Sequence, residues 1–213
     1  MKKITTIIIF SILMVSFFFA LYFYNKLLVA NENLYVDLQR EMSQSDLLKY
    51  KQDYLIKTIE ISGKENNKFY EFGSLKYFEL SDGDKINPQK ISNLLQKDRE
   101  TLIVRYTEIG CNSCTDSTFA IMEGQKPSLK EKYNIIVLVD FSNSDAYLKW
   151  KKLANITYPI YWCEKGIFPF EIENGNTSYV FTISHNSAVN NFFVPKSNFS
   201  EIIKLYFNNL NLK

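Results

Sequence analysis

An apolar run, Thr101 to Thr107, is followed by Cys111, Asn112, Ser113 and Cys114 and then by a helical pattern from Thr115 to Tyr133. A second apolar run, Ile135 to Phe141, and a second helical pattern, Asp145 to Asn155, repeat that order. Near-continuous apolar strands alternating with helices predict a β-α-β unit whose strands run parallel and whose crossover is right-handed. The unit places the two cysteines at the carboxyl ends of the strands, where open α/β sheets hold their ligands. Pro127 predicts a break within the first of these helices.

The segments on either side are shorter. Gly63 to Asn67 ends a helical pattern, and strands are expected at Lys68 to Phe72 and Leu75 to Leu80 around Gly73 and Ser74. Ser81 to Asp84 reads as a turn and Pro88 to Lys97 as a short helix. Beyond the β-α-β unit, Tyr158 to Trp162 reads as extended and Phe168 to Asn176 as loop. Tyr179 to Ser184 and Val189 to Val194 form a hairpin across His185 to Ala188, and Asn198 to Asn209 is a terminal helix.

The amino-terminal segment Ile4 to Tyr24 contains no charged residue. As a helix it spans about 30 Å, the thickness of a bilayer's hydrocarbon core. Lys2 and Lys3 precede it, whereas Lys26, Glu32 and Asp37 follow it, which keeps the amino terminus in the cytoplasm. No small-x-small cleavage site follows, because Phe18 and Leu28 are large where a small residue is needed. The expected organisation is a transmembrane anchor over residues 1–25, a juxtamembrane helical stalk over 26–67 and one folded domain over 68–213. In the stalk, Leu34, Leu38, Met42, Leu48, Leu55 and Ile59 recur mostly at helical spacing, but Glu41 and Asp37 interrupt the heptad columns and argue against a strong coiled coil.

With 213 residues, 46% hydrophobic and 15% aromatic, the chain has apolar material for one well-buried domain and an appendage. Its 25 basic and 23 acidic residues are well mixed, so no basic face advertises nucleic acid.

Two cysteines three positions apart at a helix start share one face. Unpaired N–H groups there, with roughly half a positive elementary charge, favour a thiolate at the first. Thiol and disulfide exchange needs that chemistry, with Cys111 attacking a disulfide and Cys114 resolving the mixed disulfide. Glu108, three residues before Cys111, opposes a thiolate and Arg105 favours one, although both read best as solvated or structural.

The order of elements from about residue 68 to 213, with the CxxC at its first helix, resembles the thioredoxin fold, an α/β architecture with a central mixed sheet flanked by helices. The anchor and the lead-in Leu80, Ser81, Asp82, Gly83 are similar to the membrane-tethered TlpA and ResA-type redoxins. The resemblance implies a single-pass protein of a bacterial cytoplasmic membrane with a periplasmic domain. It implies thiol–disulfide oxidoreductase activity on protein thiols and disulfides, with Cys111 and Cys114 catalytic, reduction favoured over oxidation and a membrane redox partner supplying electrons. No cofactor is implied.

Three positions depart from the family. Gly110 stands where a Trp is usual, Ser113 where a Pro is common, and Ser178, after Thr177, where a cis-proline faces the dithiol. Thr177 and Ser178 then form the substrate-docking edge through a trans peptide bond, since a cis bond without proline costs about 3 kcal/mol. Pro169 is an alternative cis-proline if Phe170 to Glu173 is the strand. The absent Trp and cis-proline raise an alternative, second to the oxidoreductase: a non-catalytic thioredoxin-fold module that binds a partner.

Cys163, beside Trp162, reads as a buried small hydrophobe. Cys111, Cys114, Cys163 and His185 formally make a Cys₃His set, but His185 belongs to a hairpin turn at the far strand end, so no metal is expected. Asp116, Asp140 and Asp145 form no spaced carboxylate pair, and no Gly-rich phosphate loop is present, which leaves hydrolase and nucleotide-binding readings without support.

Overall fold

The computed structural model describes residues 2–212 except Gly73, Ser74, Asp82, Gly83, Lys97, Cys111 and His185; for residues 2–13, Asn112 and Ser113 it describes the backbone alone. Helix α1 runs unbroken over Lys2–Glu65. A separate juxtamembrane helix was expected over 26–67; the correction is that one continuous helix covers anchor and stalk, because no Gly or Pro interrupts residues 2–62. It is the single helix among the described residues long and apolar enough to cross a membrane. The chain divides into two compact units, Met1–Tyr54 and Leu55–Lys213.

The second unit is built on a seven-stranded mixed sheet, a thioredoxin-like core flanked by helices. Its elements are β1 (Lys76–Ser81), β2 (Asp84–Lys90), β3 (Thr101–Tyr106), α2 (Asn112–Gly124), α3 (Lys126–Lys132), β4 (Asn134–Val139), α4 (Ser144–Ala154), β5 (Ile160–Cys163), β6 (Tyr179–Ile183), β7 (Val189–Phe193) and α5 (Ser200–Leu212). The strand order is β2-β1-β5-β4-β3-β6-β7. Strands β3, β4 and β5 are parallel, with Val104 opposite Val137 and Val139 opposite Trp162, and every other pairing is antiparallel.

Alternation along β3 separates two cores. Leu102, Val104 and Tyr106 face Phe119 and Met122 of α2, Leu129 of α3, Tyr147 of α4, and Ile203, Phe207 and Leu210 of α5. Ile103 belongs to the opposite face, which is filled by aromatic side chains, chiefly Phe72, Phe168 and Phe170 from connecting segments and Phe192 of β7. Phe168 and Phe170 stack on each other at 5.4 Å and meet Phe181 edge-on at 5.4 and 5.2 Å.

The helix break occurs at Gln125, and Pro127 falls in the first turn of α3, where a missing N–H is no loss. Asn143 caps α4 by accepting from the Ala146 N–H at 2.8 Å, and Asn155 ends the helix in the left-handed region.

Two local expectations require correction. Lys68 to Phe72 is not a strand of a hairpin with β1: the Asn67 N–H donates to the Val189 carbonyl at 2.7 Å, and the Val189 N–H to the Lys68 carbonyl at 2.9 Å. This segment therefore covers the free edge of β7, a common way of blunting an edge strand. Pro88 to Lys97 is not a helix either. Pro88 lies in edge strand β2, where a missing N–H is tolerated, and only Ile91–Leu94 forms a 3-10 turn.

Candidate functional site

The carboxyl ends of β3 and β4 form a rim closed on one side by Asn176, Thr177 and Ser178 and on the other by the start of α2. Its foundation is Arg105, which is 0% exposed. The Arg105 Nε and Nη2 donate to Glu173 Oε1 at 3.1 and 3.0 Å, Nη2 also donates to Asp140 Oδ2 at 2.9 Å, and Nη1 donates to the Tyr106 carbonyl at 2.8 Å. Glu173 further accepts from the Gly166 N–H at 3.2 Å and from the Tyr179 hydroxyl. Burial opposes the charge on Arg105, but the acidic groups around it, Cys163, Glu173 and Asp140, raise its pKa. Burial, then Glu173, hold the Tyr179 phenol far above its ordinary range. Arg105 is therefore a structural cation, and the carboxylates it pairs with tie the β5–β6 connection to β3 and β4.

The loop after β3 is tied down at Thr107, Glu108 and Gly110. The Thr107 N–H donates to Ser178 Oγ at 3.2 Å, and the Glu108 N–H donates to Asp140 Oδ1 at 2.8 Å. Glu108 in turn accepts from the Ser142 N–H at 2.7 Å. A proline at position 178 has no side-chain acceptor, so Ser178 supplies a tie that a proline does not; no peptide bond among the described residues is cis. Gly110 donates its N–H to the Thr107 carbonyl at 3.0 Å, and a Cβ on it would lie 2.9 Å from the Asn176 carbonyl. A Trp there is sterically impossible without moving that backbone. Gly110→Ala is accordingly expected to cost about 1–3 kcal/mol through backbone displacement, read as a lowered thermal midpoint of the detergent-solubilised chain. An unchanged midpoint contradicts the close approach.

Between those ties Ile109 points outward and is 73% exposed.

The cysteines do not present the expected centre. Cys111 lies outside the described residues, as does His185. Cys114 is 5% exposed; its sulfur accepts from the Ser197 N–H at 3.3 Å, and its carbonyl accepts from Thr118 Oγ1 at 2.8 Å. Cys163, the free cysteine among the described residues, is wholly buried in the aromatic face, and burial, outweighing the attraction of Arg105, pushes its thiol up to about 12. The described cysteines, Cys114 and Cys163, are neither adjacent in sequence nor exposed. The expectation of exchange through a CxxC dithiol at Cys111 and Cys114 is corrected to what the described residues hold, which is no CxxC pair and no accessible thiolate: Cys114 is buried and disulfide-bonded, and Cys163 is buried and free.

The raised pKa of Cys163 has a consequence for stability. The unfolded thiol ionises near 9 and the folded one near 12, so the stabilisation is complete below pH 9 and is lost as pH rises toward 12. Urea midpoints measured between pH 9 and 11 are expected to fall, and Cys163→Ala should reduce the proton release on unfolding by about one. An identical slope in the variant contradicts this assignment.

Sequence reasoning missed Glu173, which sits in a segment read as loop, and Asp140, set aside for want of a second carboxylate. The available signal was Arg105 itself, a single cation in an otherwise apolar strand, which requires a buried counter-charge.

No family model matches the chain, and no curated protein matches it. Solved structures of similar shape include a Chlorobium tepidum protein provisionally named thiol:disulfide interchange protein DsbE (11% identity, 68% of this chain and 98% of that one, TM-score 0.48). StoA from Bacillus subtilis (12% identity, 63% and 97%, TM-score 0.43) and the 2-Cys peroxiredoxin of Plasmodium vivax (15% identity, 70% and 98%, TM-score 0.43) are also similar. With TM-scores below 0.5, these likenesses carry no argument, and the thioredoxin-like core stands on its own strand order and register.

Proposed function

We propose that this chain is a single-pass membrane protein whose thioredoxin-like domain, residues 68–213, docks a partner protein at the rim formed by the carboxyl ends of β3 and β4. Residues 1–25 serve as the anchor in a bacterial cytoplasmic membrane and 26–67 as the stalk, with the domain outside the cytoplasm. The contact residues are Ile109 and Thr177, with Ser178 holding the loop beneath them, beside the start of α2.

The supporting observation is the rigid presentation of Ile109. A large apolar side chain is held out into solvent on a loop whose neighbours Thr107, Glu108 and Gly110 are each hydrogen-bonded in place. Anchors of that kind, set on a preorganised backbone, are what protein interfaces bury at their centres. Photo-cross-linking from position 177 of the full-length protein in intact cells tests the reading. A discrete adduct that Ile109→Asp diminishes at least tenfold supports it, and an adduct pattern indifferent to Ile109 overturns it. Protease added outside spheroplasts is expected to remove the domain; its protection contradicts the orientation.

A further inference from the structure

A groove of about 750 Å³ opens next to the rim, between α2 and α4 on the helical face of the sheet. Its floor is aromatic. Tyr106 lies 4.6 Å from Trp150, Phe141 5.1 Å and Phe119 6.2 Å from the same ring, measured between centroids. Leu153, 76% exposed, stands at its edge, so the apolar surface continues out of the groove.

The polar groups lining it are mainly acidic: Glu108, Asp116 and Glu123, against Lys149. Glu123 is already engaged by Lys126 at 3.1 Å and by Thr157. Glu108 gives one oxygen to the Ser142 N–H, which leaves its charge uncompensated. Asp116 makes no ion pair or hydrogen bond with any described residue, and partial burial raises its pKa. An aromatic floor with unneutralised carboxylates at its lip is complementary to a cation on an apolar backbone segment. The cation gains from the half-buried Trp150 ring as well as from the carboxylates.

We infer that this groove receives a partner segment in which an arginine or lysine is flanked by apolar side chains. The inference rests on the docking role proposed for the rim and names the chemistry of what docks. Charge complementarity selects that occupant over an acidic segment, and its approach along the lip from Glu108 joins the groove to Ile109 on the rim.

The test uses the full-length protein in nanodiscs and a fluorescein-labelled peptide, Ala-Leu-Arg-Phe-Leu-Arg-Ala amide, with its Arg-to-Glu counterpart as control. Anisotropy is expected to show the basic peptide binding at least tenfold more tightly than the acidic one. Asp116→Lys should weaken it by tenfold or more and Asp116→Asn by a smaller factor, and the affinity should fall as salt rises from 50 to 500 mM. Equal binding of the two peptides, or binding unchanged in Asp116→Lys, overturns the inference. A concentration-dependent dimer that Asp116→Lys abolishes also overturns it, placing a second copy in the groove. The adduct from position 177 separates this inference from the reading beneath it. Its persistence at full yield in Asp116→Lys removes the groove and leaves the rim, whereas its indifference to Ile109→Asp in the parent chain removes the rim itself.

Discussion

Arg105→Met is expected to destabilise the folded domain by about 3–5 kcal/mol. The substitution keeps the volume of an unbranched side chain but deletes the cation that Glu173 and Asp140 share, and both carboxylates are almost fully inaccessible, at 1% and 5%. Left behind, each is a buried anion with part of its hydrogen bonding removed, and the Tyr106 carbonyl loses its side-chain donor. The loss of one partner, rather than the net worth of the pair, makes the effect large. Urea unfolding followed by circular dichroism measures it. Adding Glu173→Gln to Arg105→Met should recover a substantial part of the loss, because a neutral amide is cheaper to bury than an unpaired carboxylate. A double variant no more stable than Arg105→Met contradicts the account of the network.

Phe170→Ala is expected to cost about 3–5 kcal/mol. Phe170 is the side chain on which the aromatic face of the sheet converges: it meets Tyr70 at 5.3 Å, Phe168 at 5.4 Å, Tyr179 at 5.7 Å, and Phe181 and Phe192 both at 5.2 Å. The segment that carries Phe170 also carries Glu173, so the cavity releases the Arg105 counter-charge with it. The expected signature is a lower urea midpoint together with increased amide exchange over residues 164–178. A loss below about 1 kcal/mol means that the loop collapses into the space and that the aromatic face is not rigid.

The parts of this fold that were legible in the sequence are those where pattern and environment agree. Strands β3 and β4 are buried on both faces and read as apolar runs, interrupted in β3 by Arg105, and α4 carries its own cap residues in Asn143 and Asn155. Strand β2 was not legible, because Pro88 is a helix-start signal in sequence and an edge-strand residue in the sheet, and the neighbour that decides between them is β1. The role of Lys68 to Phe72 was hidden for the same reason: its hydrogen bonds go to Ser187 and Val189, more than a hundred residues away.

The site divides similarly. The rim's position followed from the parallel strands, and Ser178 was found by its place before β6. Its bond to the Thr107 N–H, the steric demand for Gly110 beneath Asn176, and the burial of Glu173 depend on loops meeting in space, and no local spacing encodes them. The exchange chemistry read from Cys111 and Cys114 is not carried by the described residues, where Cys114 is buried and disulfide-bonded and Cys163 is remote from it in sequence.

The central claim is that the ordered rim at the ends of β3 and β4 is where a partner binds. Its most direct measurement compares Ile109→Asp with Leu205→Asp, both replacing exposed side chains, for the yield of the adduct formed from position 177 in intact cells. The account predicts at least a tenfold loss for Ile109→Asp and none for Leu205→Asp, with both variants unfolding at the parent urea concentration. Equal yields in the two variants would contradict it.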